Sequence, residues 1–167
     1  MSDKKIIIAV ILFTVAILAG AIFFLGKSSS KASLEKTAGA KIETTETSFD
    51  FKDIPYSGGD AIHEFKVKNI GDKPLQIANM VSSCACSKVF LKTPKGEGPK
   101  FGMKGMSPPS DWTGTLNPGE EGQVVSSFDP TYHGPQGVGP ISRSVSFETN
   151  DPDKPYVEFS FSGNVIK

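Results

Sequence analysis

Beyond residue 40 the chain alternates between apolar and polar side chains, and that alternation narrows the choice of fold more than any other feature. In residues 61–69, Ala61, His63, Phe65 and Val67 fall on one side, with Glu64, Lys66 and Lys68 on the other. A period of two belongs to a strand with one face buried. The pattern returns in Leu75, Ile77 and Val81, in Val145 and Phe147, and in Val157, Phe159 and Phe161 set against Glu158, Ser160 and Ser162. Residues 42–51 add a threonine-rich run that ends Ser48-Phe49-Asp50-Phe51. The runs are separated by turn chemistry: Ser57-Gly58-Gly59-Asp60, Asn69-Ile70-Gly71-Asp72-Lys73-Pro74, Asn117-Pro118-Gly119-Glu120 and Asn150-Asp151-Pro152-Asp153. No segment of this region holds a helical period. About seven short strands at such spacing predict an all-β, immunoglobulin-like, seven-stranded antiparallel sandwich over residues 41–167. Within it, Phe65, Val67, Val145, Phe147, Phe159 and Phe161 are expected to face one another between the sheets.

The N-terminus is of another kind. Residues 6–25 carry no charge and a single polar side chain, Thr14. At a rise of about 1.5 Å per residue such a run matches the roughly 30 Å hydrocarbon layer of a bilayer. The expected plan is therefore a short cytoplasmic tail (1–5), a transmembrane anchor (6–25), a flexible tether (26–40) rich in Ser, Lys, Ala and Gly, and a domain on the extracytoplasmic side of the cell membrane. Lysines flank the run on both sides, so charge alone does not orient it. Ala19-Gly20-Ala21 fits a signal-peptidase site, but Ile22-Phe23-Phe24-Leu25 carries the apolar run past it, which favours an anchor over a cleaved leader. With 18 basic and 18 acidic residues and no basic block, nucleic acid is excluded as an expected partner.

Both cysteines of the chain, Cys84 and Cys86, stand two apart beside the longest Gly/Pro-rich connection, residues 91–116. On extended backbone, side chains two apart share a face, so the two sulfurs could hold a common ligand or bond each other. The connection carries Met103 and Met106. Thiolate and thioether sulfurs are soft donors that suit Cu(I), and imidazole often supplements them. The expected metal site is Cys84, Cys86 and Met103 with His133, at one end of the sandwich, and copper is the cofactor it would take. A disulfide or redox pair and free structural thiols remain open for the cysteines. Packing with Phe101 and Trp112 remains open for both methionines. His63 shares a face with Phe65 and Val67 and reads as a core histidine. Asp129, Asp151 and Asp153 stand beside prolines and read as turn formers rather than a calcium site. No phosphate-binding glycine loop and no helical zinc motif occurs, and the cysteines have no electropositive neighbour in sequence beyond Lys88. An enzyme is the least favoured class, with no catalytic residue assigned.

The ordered set Asn69-x-Gly71, Leu75-x-Ile77, Ser83-Cys84-Ala85-Cys86, Leu116-x-Pro118-Gly119-Glu120, Phe128-Asp129-Pro130 and Thr149-Asn150-Asp151-Pro152 resembles the bacterial family called domain of unknown function 1573. That family's fold is similar to Hydin-type and major-sperm-protein-type immunoglobulin-like domains. The resemblance implies a seven-stranded sandwich on a secreted or membrane-tethered protein and brings no catalytic activity. The residue between the cysteines, commonly glycine in the family, is Ala85 here, and a long insertion follows. The expected function is a membrane-anchored extracytoplasmic binding module with an envelope protein as partner. The alternative is a copper-binding or thiol-redox protein of the envelope.

Overall fold

A computed structural model describes residues 3–25 and 31–167. The first segment is a helix, α1 (Asp3–Leu25). Its side chains are described without a break only from Ile6 to Ala21, so the apolar residues that complete the expected span lie outside the described side chains. Among the described residues no helix is long and apolar enough to cross a membrane, and the transmembrane anchor expected at residues 6–25 is not established by α1. Residues 26–30 of the expected tether also lie outside the described residues.

The second segment, Lys31–Lys167, is one compact unit. Its strands are β1 (Ile42–Thr44), β2 (Ser48–Pro55), β3 (Ala61–Asn69), β4 (Leu75–Ser82), β5 (Ser87–Thr93), β6 (Gly96–Glu97), β7 (Thr113–Leu116), β8 (Glu121–Phe128), β9 (Gly139–Thr149) and β10 (Tyr156–Ile166). They form two five-stranded sheets, ordered β1-β3-β8-β5-β6 and β2-β10-β9-β4-β7. The expected all-β sandwich is present, with ten strands rather than seven. The additional strands have two sources. The N-terminal run divides at residues 45–47, so that β1 joins one sheet and β2 the other, and the expected long loop contributes strand at both of its ends. Leu91, Lys92 and Thr93 finish β5, Gly96 and Glu97 return along it as β6, and residues 113–116 form β7 against β4. Pairing is antiparallel throughout, except that β2 runs parallel to β10.

Parity within the strands puts the apolar side chains between the sheets. Phe65, Val67, Val145, Phe147, Phe159 and Phe161 are all buried, as expected. The Phe65 and Phe159 rings stack across the sandwich with centroids 4.6 Å apart, and Phe147 meets Phe159 edge-on at 5.5 Å. His63 caps this column as a core-edge residue: it stacks on Phe49 at 3.6 Å while its Nε2 lies 2.8 Å from Glu46 Oε1. One parity expectation fails. Met80 is buried while Val81 is only partly so, because the β4–β9 register shifts between Ala78 and Val81. Asn79 there has φ 54°, a conformation that Asn tolerates better than most residues.

Buried polar side chains close the ends. Asn69 donates from Nδ2 to the carbonyls of Lys73 and Leu116 and accepts from Gly71 N–H. Asn150 accepts from Gln76 N–H and donates to Pro74 O. The buried carboxylate of Asp151 accepts from Ile42 N–H at 2.8 Å and from Asp153 N–H at 2.8 Å. These residues are the turn formers expected, and each also ties its turn to a strand far away in sequence. The second half of the expected tether belongs to the domain as well. Thr37 N–H donates to Asn150 O, Ala32 N–H to Ser110 O, and Ala40 is buried. Residues 31–40 therefore belong to the same compact unit as residues 41–167. Gly71 shows how close this docking is, since a Cβ there would lie 2.0 Å from Gly39 O.

Phe65→Ala or Phe159→Ala is expected to cost about 3–5 kcal/mol, as large core truncations do, read from denaturant unfolding. The Asn117–Glu120 turn makes a pH-linked contribution. The backbone N–H of Asn117, then its side-chain amide, hold the Glu120 carboxyl below the ordinary glutamate range. A depressed folded-state pKa contributes stability above the unfolded value and loses it as pH falls through the folded value. Carbon-detected NMR titration should place the Glu120 midpoint below the ordinary glutamate range, and Asn117→Gly, which removes the side-chain amide, should raise it.

Candidate functional site

The cysteines lie in the turn between β4 and β5, not on a strand. Three backbone-directed bonds hold that turn: Ser82 Oγ–H is 2.8 Å from Cys84 O and 2.9 Å from Ser87 O, and Ser87 N–H donates to Cys84 O at 3.1 Å. The turn brings the two Cα atoms to 5.2 Å, and Cys84 and Cys86 are joined as a disulfide. Of the alternatives left open for the pair, this is the one the structure takes. The two sulfurs differ in setting. Cys86 is buried against the core, whereas Cys84 is only partly covered.

Two further elements converge on the bridge. The β5–β8 pairing sets Ser87 opposite Phe128, and Asp129 N–H donates to Cys86 O at 2.9 Å, so the segment leaving β8 starts against the cysteine turn. Asp129 Oδ1 accepts from Thr131 N–H and Oγ–H, which turns the chain. The exposed His133 then arrives with Nε2 3.7 Å from Cys84 Sγ, just before a short 3₁₀ turn (Gly134–Gly137). From the facing sheet, Arg143 on β9 donates from Nε to Cys86 Sγ at 3.5 Å. Cys84, Ala85, Met103, His133, Ser142 and Arg143 line one open hollow of about 550 Å³.

Of the four residues expected in the metal site, Cys84, Met103 and His133 line this hollow, while the buried Cys86 does not line it and is bonded to Cys84. The donor atoms of Cys84, Cys86 and His133 lie within 4.8 Å of one another. With the sulfurs bonded to each other, however, neither is the thiolate that a copper ion would need, so the donors fit that metal only after reduction. Met103 is held by a bridge to Ser82 on β4, and Met106 is exposed beyond it. The packing alternative is met by their neighbours: Phe101 pairs with Val89 and its ring lies 5.7 Å from that of Trp112. His63 is not part of the hollow. Arg143 was not singled out from the sequence. Its signal was there, because it shares parity with Val145 and Phe147, and a cation in an inward-facing register needs a partner.

A second, larger depression of about 570 Å³ opens where the insertion crosses β4. Met80, Phe101, Met103, Met106, Pro108 and Tyr156 give it an apolar floor and walls. At its rim Lys31 Nζ lies 2.6 Å from Glu148 Oε1, and Asn79 Nδ2 donates to Glu148 Oε2 and Ala32 O.

Residues 42–104 match the model of the family described as protein of unknown function (DUF1573), the family that the sequence motifs indicated; the likeness to Hydin-type and major-sperm-protein-type domains rests on the motifs alone. Among curated proteins no relative matches the chain. Among solved structures, a protein of unknown function from Porphyromonas gingivalis W83 is similar over 79% of this chain and 50% of its own length, with 17% identity and a TM-score of 0.57. A family 123 glycoside hydrolase from Clostridium perfringens is similar over 78% of this chain and 27% of its own, with 9% identity and a TM-score of 0.50. The ASH/PapD-like domain 7 of human CEP192 is matched over 84% of this chain and 96% of its own, at 19% identity and a TM-score of 0.46. The chain spans half the length of the first structure and less of the second, and at these identities the likeness is one of fold.

The disulfide makes a direct prediction. Alkylation of the native, unreduced full chain should label neither cysteine, and alkylation after mild reduction should label Cys84 faster than the buried Cys86. Peptide mass mapping reads both, and equal rates would mean that the two sulfurs are equally accessible.

Proposed function

We propose that this chain is a membrane-tethered, extracytoplasmic β-sandwich that acts as a binding module for an envelope protein rather than as a hydrolytic or group-transfer enzyme. The tether reading is supported by the uninterrupted apolar sequence of residues 6–25 and the helical backbone of α1. The compartment is supported by the Cys84–Cys86 disulfide, since such bridges persist in oxidising surroundings.

The observation that carries the binding role is the groove floored by Met80 and Phe101 and walled by Met103, Met106 and Tyr156. Met106 is 63% and Tyr156 57% exposed, so two large apolar side chains stand in water beside one concave surface. Methionine walls adapt to differing side chains. Lys104 on the rim has no carboxylate partner among the described residues, in contrast to Lys31. The occupant that fits is an extended segment of a partner protein that seats an apolar side chain in the groove with a carboxylate beside it.

Sheet edges make poor docking sites by comparison. The edge strands β1, β6 and β7 have three, two and four residues. The longer edge strand β2 is broken by Lys52 at φ 60°, whose N–H is already bonded to Asp50 Oδ1, and by a register shift against β10 between Ser162 and Asn164. Such devices blunt an edge against strand addition.

Two measurements test the reading. Protease added to intact spheroplasts should digest residues 31–167, and protection of the domain would overturn the topology. The full chain in detergent, panned against random peptides, should select sequences with an apolar anchor next to an acidic residue. Met106→Asp should weaken those peptides about tenfold or more, a loss of about 1.4 kcal/mol, while Ile62→Asp on β3 should not. Binding unchanged by Met106→Asp would remove the groove from the proposal.

A further inference from the structure

The hollow around the disulfide has a chemistry that peptide docking does not use. A bridge that closes so short a loop constrains the unfolded chain far less than a long-range one, because that effect grows with loop length. The turn is also held without it, by Ser82 Oγ on two carbonyls and by Ser87 N–H on Cys84 O. Opening the bond would therefore leave the two thiols where they are, ready to close again. The surroundings are polarised in one sense. The accessible sulfur is that of Cys84, while the buried sulfur of Cys86 has the Arg143 guanidinium Nε at 3.5 Å. A cation at the sulfur that departs makes it a better leaving group, and an exposed sulfur is the one an incoming thiolate can reach.

We propose that Cys84 and Cys86 form a thiol–disulfide exchange site that oxidises a dithiol, with attack on Cys84 and departure of Cys86 beside Arg143. A thiolate of the dithiol attacks Cys84 Sγ, the Cys84–Cys86 bond breaks, and its electron pair leaves on Cys86 as a thiolate facing the guanidinium. The second thiolate of the dithiol then attacks its own sulfur in the mixed disulfide and expels Cys84 as a thiolate. His133, with Nε2 3.7 Å from Cys84 Sγ, is the positioning residue that faces that sulfur, and the two protons that the cysteine thiolates take up come by way of solvent from the dithiol. The dithiol loses two electrons and two protons and becomes a disulfide, and both cysteines end as thiols. The open hollow lined by Ala85, Ser142 and Met103 leaves room for a peptide thiol beside Cys84. This inference is independent of the groove and stands if the peptide test fails.

The test uses the oxidised full chain in detergent with millimolar glutathione at neutral pH, quenched in acid and mapped by mass spectrometry. The mixed disulfide is expected on Cys84. Arg143→Gln should slow opening of the bridge by about threefold or more, because a leaving thiolate without its cation departs more slowly, and Arg143→Lys should recover part of the rate. In Cys86→Ser, the pH midpoint for alkylation of Cys84 should rise when His133 is changed to Ala, a shift that a merely structural histidine would not give. A glutathione adduct on Cys86, or a rate unchanged by Arg143→Gln in a chain that melts as wild type, would overturn the proposal. If Arg143→Gln does not fold, the position of the adduct decides alone. Stoichiometric Cu(I) uptake by the reduced chain, weakened by Cys84→Ser, Met103→Leu and His133→Ala, together with a bridge that glutathione does not open, would overturn it in favour of a soft-metal site.

Discussion

The two sheets are held face to face by phenylalanine. Phe65 from β3 lies flat on Phe159 from β10, Phe147 from β9 meets the same ring at its edge, and Phe161 joins Phe51 and Phe128 further along. Each ring removed from water contributes about 1.5–3 kcal/mol, and none of them has a polar atom that needs a partner. With so much non-directional attraction in the middle, the ends of the sandwich can carry groups that would otherwise be costly to bury. Asn69, Asn150 and Asp151 are such groups, and each is hydrogen-bonded to backbone partners.

The cysteine turn depends on that arrangement from above. β4 and β5 belong to different sheets, so the turn between them crosses the end of the sandwich where the β8 exit and β9 also arrive. Crossing the layer is what brings His133 from one sheet and Arg143 from the other to opposite sulfurs of one bridge. Neither residue is near the cysteines in sequence. Their meeting follows from the pairing of β5 with β8 and from Arg143 sharing the inward register of Val145 and Phe147 on β9.

What could be read in the sequence was whatever has a short period or a local cause. The alternation in residues 61–69 and 157–162 gave strands and core together, because one parity decides both. The motifs gave the turns, since Asn and Asp bond their own following backbone. Local rules failed where tertiary pairing decides. Residues 31–40 have no apolar period, yet they bind the domain through backbone hydrogen bonds and a close approach of Gly39 to Gly71, which leave no pattern in composition. Residues 91–97 and 113–116 read as loop because their strands are short and glycine-bearing. Val81 was assigned the wrong face because one left-handed residue, Asn79, shifts the register. The four expected site residues were singled out by their scarcity and their position in or beside glycine-rich segments. Their chemical state was not legible, as thiolate and disulfide have the same letters.

The parallel pairing of β2 with β10 has a consequence for the order in which the domain can assemble. Ser48 stands opposite Ser160 and Phe49 opposite Phe161, so the strand made early rests on the strand made late. Contacts separated by so much chain close slowly and only after the intervening loop entropy has been overcome. A nascent domain can pair β3 with β1 and β8 and β8 with β5, but its second sheet has no place for β2 until β10 has emerged. The second sheet is thus completed at the β2 edge only once synthesis has passed β10, at residue 166.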